Sequence, residues 1–411
     1  MKIVPFIFCC LCLYGSDPTW PKWLGPNHDG TNDSFLLSVP PSGKEYVVDW
    51  AIKAGRGWAS PVCSLKHLIL HERNGDNEVI RAMNPFTGKE AWRFSYESGY
   101  RDRFGMEDGP RSTPCIAKGV VVSHGPQGLV HGLSAKDGSL LWKVDLDRQY
   151  SSPQGFFGRC SSPLVLGDLV VFDAGGPSAG MVAFDLLTGK ERWSSTSYGN
   201  DYSSAVPFET SSGSMILAFV REGFLALDAK NGKEFFFERF RSPIDASVNA
   251  ASPVVIGQSV LLSSCYEVGA GFWNYSENPE GKGGFNTVWK KKNALDCHYS
   301  TPVSLGGFVY GFHGRQERGP LLRCIRLKSG NVMWEAPSMG AGNLLRAKDK
   351  LLVLTDEGEL IVAKASPDGF FALHRQQVLG TGARGHFALA HGRLYAKDKR
   401  RLVCLRLDKF E

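Results

Sequence analysis

An all-β chain folded as a ring of eight four-stranded antiparallel blades is what this sequence predicts, and two recurring phrases predict it. The first is a turn followed by a tryptophan or its stand-in. It occurs at residues 84–92 (NPFTGKEAW), 135–142 (AKDGSLLW), 185–193 (DLLTGKERW), 228–236 (DAKNGKEFF) and 327–334 (LKSGNVMW). The second is a small residue and a proline opening a strand: Ser60-Pro61, Thr113-Pro114, Ser162-Pro163, Val206-Pro207, Ser252-Pro253 and Thr301-Pro302. Those prolines are spaced 53, 49, 44, 46 and 49 residues apart. A period in the forties with several short strands per repeat marks propeller blades. Helical periodicity is almost absent.

The elements follow in chain order. Met1-Lys2 and the apolar residues 3–14 are too short for a membrane span and suit a secretory signal peptide over residues 1–16. Cys12 lacks a small residue before it, which argues against a lipoprotein. Residues 17–46 form an N-terminal extension, and residues 47–411 the propeller. Within a unit such as 163–193, proline stands at a strand start, where its missing N–H does least harm. Three apolar runs follow, then Thr188-Gly189-Lys190 makes a tight turn into the tryptophan strand. Weaker unit starts lie near Leu345 and Leu389. The last unit offers only three strands. Residues 47–53, with Trp50, precede the first proline phrase and supply the missing fourth, so the ring closes and two sheet edges disappear. A seven-bladed ring or an open array is the alternative. Blade 5 is the weak point, because residues 265–287 read as a Gly- and Asn-rich insertion before Trp289.

Composition excludes more than it identifies. A net charge of +6 over 411 residues, without basic runs interleaved with aromatics, gives no reason to expect nucleic acid. Three of the ten cysteines lie in the leader. The remaining seven are odd in number, and Cys63 matches Cys115 in the repeat as Cys324 matches Cys404, so buried thiols are expected rather than a disulfide framework. His and Cys residues show no zinc spacing. Gly176-Pro177-Ser178-Ala179-Gly180 matches a nucleophile elbow but lacks a following helix. Residues 380–385 match a dinucleotide glycine pattern but open a strand.

Strand alternation places the residues just before each proline phrase around the central channel on one face. They are Arg56, Trp58, Arg111, Arg159, Tyr202, Asn249, His298, Asn343, Arg384 and His386, with His124, His313 and Arg315 from the second-to-third-strand loops. Six of the rim residues are Arg or His, and no carboxylate occupies the equivalent slot. A converging basic mouth favours an anion. The other reading is that these side chains cap backbone carbonyls between blades, and both stand at this point.

The repeated turn-and-tryptophan phrase resembles the tryptophan-docking repeat of pyrroloquinoline-quinone-type β-propellers, over residues 47–411. Residues 20–30 (WPKWLGPNHDG) and the ending around Ser366 to Leu379 resemble exported bacterial PQQ-binding-like repeat proteins. The resemblance implies that Trp92, Trp142, Trp193, Trp289 and Trp334 dock on neighbouring blades. It does not imply a reaction, since that fold hosts quinoprotein dehydrogenases and a non-enzymatic scaffold lipoprotein of outer-membrane barrel assembly. The calcium-dependent dehydrogenases use carboxylate and amide ligands, an acidic base and often adjacent cysteines; here the adjacent pair is Cys9-Cys10, in the leader. The expectation is a non-enzymatic binding or scaffold propeller. It is exported to the periplasm or secreted, monomeric and without a membrane span. Its rim receives a protein segment or a small anionic ligand, and it needs no cofactor or metal. The alternative is a PQQ-dependent dehydrogenase.

Overall fold

The computed structural model describes residues 19–35, 37–278 and 283–411. The expected signal peptide over residues 1–16 lies outside them. Eight four-stranded antiparallel sheets are present. Blades 1 to 7 span residues 62–97, 115–145, 164–195, 206–239, 254–291, 303–335 and 342–377, with strands in sequence order across each sheet. First strands of adjacent blades contact one another and line the axis. Blade 8 is built from Ala388–Ala390, Arg393–Lys397 and Arg401–Phe410, and its fourth strand is Tyr46–Lys53. That strand runs antiparallel to the last one, with Val47 opposite Arg406 and Lys53 opposite Arg401. The ring is thus closed by chain segments from its two ends, in the eight-bladed form.

The turn-and-tryptophan phrase is a lock between blades. The Trp193 indole N–H donates to the carbonyl of Ala229 on the next blade at 3.1 Å. Trp92 does the same to Ala135 and Trp142 to Leu186, at 3.1 and 2.9 Å. The glycine of the next blade's turn lies against the ring. A Cβ on Gly232 would sit 2.4 Å from Trp193, and one on Gly189 2.7 Å from Trp142. Gly232 also has φ +70°, in the left-handed region that favours glycine. One residue type therefore serves the turn and the dock together. Trp50 of the closing strand locks onto blade 1 in the same manner, donating to Pro85 at 3.1 Å beneath Gly88.

The small residue before each proline has a second role. Ser60 N–H donates to Thr113 Oγ1 at 3.0 Å, Thr113 N–H to Ser162 Oγ at 3.0 Å, and Ser162 N–H to Ser204 Oγ at 2.8 Å. Each hydroxyl satisfies an orphaned inner-strand N–H of the preceding blade. This corrects the register of blade 4. Its counterpart of Ser162-Pro163 is Ser204-Ala205, and Pro207 lies inside the strand Val206–Thr210, opposite Ile216. Proline is tolerated there because an innermost strand keeps one hydrogen-bonding edge outside the ladder. Blade 5 is complete as well. Residues expected to be an insertion form a long hairpin, Gly269–Glu277 with Gly283–Lys291.

The N-terminal extension enters the central channel. Trp20 exchanges backbone hydrogen bonds with Cys63 of blade 1 at 2.8 and 2.7 Å, and Pro21 O accepts from Ile116 of blade 2 at 2.8 Å. The segment turns back through Leu24, Gly25, His28 and Gly30, all with positive φ. It leaves alongside blade 7, where Gly30 O accepts from Arg346 N–H at 2.9 Å and Asn32 N–H donates to Arg346 O at 2.8 Å. Glycine is required at position 25, where a Cβ would lie 2.7 Å from the Trp20 ring. All seven described cysteines are free thiols.

Candidate functional site: an aromatic cup on the axis

A cavity of about 430 Å³ opens where the loops joining successive blades gather. Trp23, carried by the channel segment, lines it. The Trp23 indole N–H donates to Ser252 Oγ at 2.9 Å, and its ring meets His386 edge-on at 4.9 Å. Trp58, Tyr202, Tyr266 and Tyr299 stand around the wall, and Phe104, Met106, Phe156 and Phe157 form an apolar lip. Phe104 is 61% exposed.

Local backbone geometry fixes these rings. Trp58 and Ala59 N–H both donate to Pro110 O, at 2.8 and 2.9 Å. The close approach needs glycine on both sides: a Cβ on Gly57 would lie 2.8 Å from Pro110, and one on Gly109 2.5 Å from the Arg56 backbone. The Tyr202 hydroxyl accepts from the N–H groups of Phe156 and Phe157 at 2.7 and 3.1 Å, so a wall residue holds the lip.

Seven of the ten residues expected at the rim line this cavity: Trp58, Arg111, Tyr202, His298, Asn343, Arg384 and His386. Arg315, from a second-to-third-strand loop, lines it as well. Three do not. Arg56 turns outward to Glu107 and Asp108 at 3.2 and 3.1 Å. Arg159 is buried in a seam, bound to Asp147 at 2.6 Å and to the carbonyl of Ala174 at 2.9 Å. Asn249 donates to the carbonyl of Val220 at 2.9 Å. His124 is buried against the Ser161 carbonyl at 3.2 Å, and His313 Nδ1 accepts from Asp296 N–H at 3.0 Å. The corrected blade-4 register also places a carboxylate in the slot expected to hold none. Asp201 is the counterpart of Arg159; it accepts from Asn249 N–H at 3.0 Å and pairs with Arg221 at 3.3 Å. Burial pushes its carboxyl up to about 7.

The cup is less basic than its residue types suggest. Burial lowers His298 to about 4 and His386 to about 3, so both are neutral near pH 7. The hydrogen bonds of His298 agree: Nδ1 accepts from Gln316 N–H at 3.4 Å, leaving Nε2 to donate to the Tyr266 hydroxyl at 2.9 Å. Arg111 is held by Asp102 at 2.6 Å and by the Phe157 carbonyl at 2.8 Å. Arg315 pairs with Glu317 at 3.4 Å and covers the Tyr266 ring at 4.7 Å. Arg384 has its nearest carboxylate, Asp356, at 4.0 Å. Arg111 and Arg384 both lie over the Trp58 ring, at 4.7 and 5.0 Å. Cationic planes on a tryptophan are favourable by roughly 0.5–2 kcal/mol each.

The rim rule missed the lip residues, Tyr266, Tyr299 and Trp23. Phe104, Met106, Phe156 and Phe157 sit in blade-joining loops that share no repeat position. Their one sequence signal is apolar bulk inside Gly-rich loops, Phe104-Gly105-Met106 and Gly155-Phe156-Phe157.

The family profile described as outer membrane protein assembly factor BamB matches residues 76–335, and the chain belongs to that family. BamB from Moraxella catarrhalis superposes with a TM-score of 0.64 at 16% identity, covering 89% of this chain and 98% of that one. A quinohemoprotein alcohol dehydrogenase, ADHIIG from Pseudomonas putida HK5, gives 0.63 at 13% identity, covering 95% and 80%. A computationally designed protein, Ika8, gives 0.59 at 13% identity, covering 88% and 100%. At these identities the likenesses show the fold alone. No curated protein sequence matches the chain significantly. No helix among the described residues is long and apolar enough to cross a membrane.

Proposed function

We propose that this member of the BamB family is an exported, non-enzymatic binding propeller whose axial cup receives a small ligand or a protruding segment of a partner protein. The observation that carries the reading is the aromatic lining of the cup, to which the channel segment contributes Trp23. Concave sites with mostly apolar walls and a few placed polar groups are where ligands bind. The family's assembly-factor description and the exposed Phe104 at the lip favour a partner that enters from that face.

The residues of the cup do not fit a calcium-bound quinone. Its one lining carboxylate, Glu317, is paired with Arg315, and its one lining cysteine, Cys160, has no adjacent partner. No group of three His, Cys, Asp or Glu side chains among the described residues stands close enough to hold a metal ion. No reaction step is therefore assigned.

Absorption and tryptophan emission of the purified protein, before and after adding quinone and calcium, test the reading. Silence in absorption and no turnover with an electron acceptor are expected. Quinone-dependent turnover would sink it.

A further inference from the structure

Arg384 is unlike the other cations of the cup. Among the described residues that line it, Arg111 has a carboxylate and a carbonyl within hydrogen-bond distance, and Arg315 has Glu317 at 3.4 Å. Among the described residues, the guanidinium of Arg384 makes no hydrogen bond, and Asp356 at 4.0 Å is its only ion-pair partner. It is not free to wander. Its guanidinium carbon lies over the Trp58 ring at 5.0 Å, and the next residue is locked: a Cβ on Gly385 would lie 2.8 Å from the Trp58 carbonyl. Its side chain is 23% exposed. The result is a guanidinium with open donors, set over a tryptophan, on the wall of a cavity rich in aromatic rings.

We propose that Arg384 anchors a ligand with one carboxylate on an aromatic body, the carboxylate taking its open fork and the ring lying among Trp23, Trp58, Tyr202 and the lip phenylalanines. This rests on the reading of the cup as a binding site. The charge count sets the number of carboxylates. Two of the three lining arginines are already paired, so a second carboxylate finds no unpaired cation. A forked guanidinium suits a planar carboxylate, whereas a lysine would offer only a point charge. Aromatic walls add ring–ring contacts to the apolar burial.

The experiment is titration of the full propeller with cinnamate, its uncharged amide and a benzene tricarboxylate, read by tryptophan emission and calorimetry. Cinnamate should bind more tightly than the amide. Arg384→Gln should weaken cinnamate by roughly tenfold or more, the scale of a lost charged hydrogen bond, and leave the amide unchanged. Arg384→Lys should recover only part of the loss. An unchanged melting temperature shows that the variant is folded. Equal binding of cinnamate and its amide overturns the anchor while keeping the cup as a site. Preference for the tricarboxylate overturns the single charge. No binding of any of the three rejects the aromatic acid, and the cup reading then stands or falls on the quinone and partner tests.

Discussion

The seam between blades 3 and 4 and the seam between blades 4 and 5 meet the same need by different means. At the first, Trp193 lies on Gly232 and donates one hydrogen bond to the next blade. At the second the tryptophan position is Phe236, which has no N–H to donate. Rings from both blades fill the space instead. Phe224 meets Trp273 at 5.2 Å and Phe285 at 5.1 Å, Phe236 meets Phe285 at 5.4 Å, and Phe240 meets Trp273 at 5.3 Å. Trp273 comes from the third strand of blade 5, and its N–H donates to Glu238 at 2.6 Å. The first lock uses two residues at fixed repeat positions. The second spreads the same burial over many, so no single ring should dominate it.

Three sets of variants probe that contrast, beginning with the ring itself. Removing residues 1–53 deletes both the closing strand and the channel segment, and should abolish cooperative melting, because an open edge and the face of blade 8 are exposed together. An unchanged thermal transition would rule out the closure. Next, Trp193→Ala should cost about 3–5 kcal/mol, as large aromatic truncations do. Gly232→Ala should cost roughly 1–3 kcal/mol for a left-handed backbone alone, with the clash against Trp193 added. Phe236→Ala, at the crowded seam, should cost less than about 2 kcal/mol because that ring is only half-buried. Denaturant titration orders the three. A Phe236 loss equal to that of Trp193 would contradict the distributed packing.

The smallest effect is pH-dependent. Burial lowers His28, His124, His131 and His386 to about 3, and His298 and His313 to about 4. A histidine depressed below its ordinary 6.5 stabilises the fold above that value and loses the contribution as pH falls toward 3–4. Asp201, raised to about 7, acts oppositely: its contribution is present at acid pH and lost on rising through 7. Burial raises Asp173 well above the ordinary carboxylate range and raises Asp29, Asp147, Asp296 and Asp356 as well, so carboxylates offset part of the effect; the six large histidine shifts prevail, and the melting temperature should fall modestly between pH 6.5 and 4. A flat profile would show that these histidines are not buried in neutral form.

Blade number, closure and the tryptophan docks were legible because each recurs with the period of the backbone. The rim was legible in part. Position relative to the proline phrase locates Trp58, Arg111, Tyr202, His298, Arg384 and His386, but it does not say which way a side chain turns. Arg159 and Asn249 turn into seams because carbonyls there would otherwise lack donors. Pro207 drew the blade-4 register two residues late, since Ala205 stands where the other blades place proline. The channel segment has no period to read, and its role depends on contacts as far along the chain as Ser252, Arg346 and His386.

Closure also has a kinetic side. Asp49 pairs with Arg393 across 344 positions of sequence, and the channel segment waits for blade 7. Joining segments that far apart costs roughly 5 kcal/mol of loop entropy before any contact compensates it. Long-range pairing of this kind slows folding. A growing chain can stack its middle blades while its first strand stays unpaired, and only the final residues let it commit. Such a molecule should refold slowly and expose a strand edge in the interval, which makes dilution and a holding chaperone matter more to its yield than its final stability does.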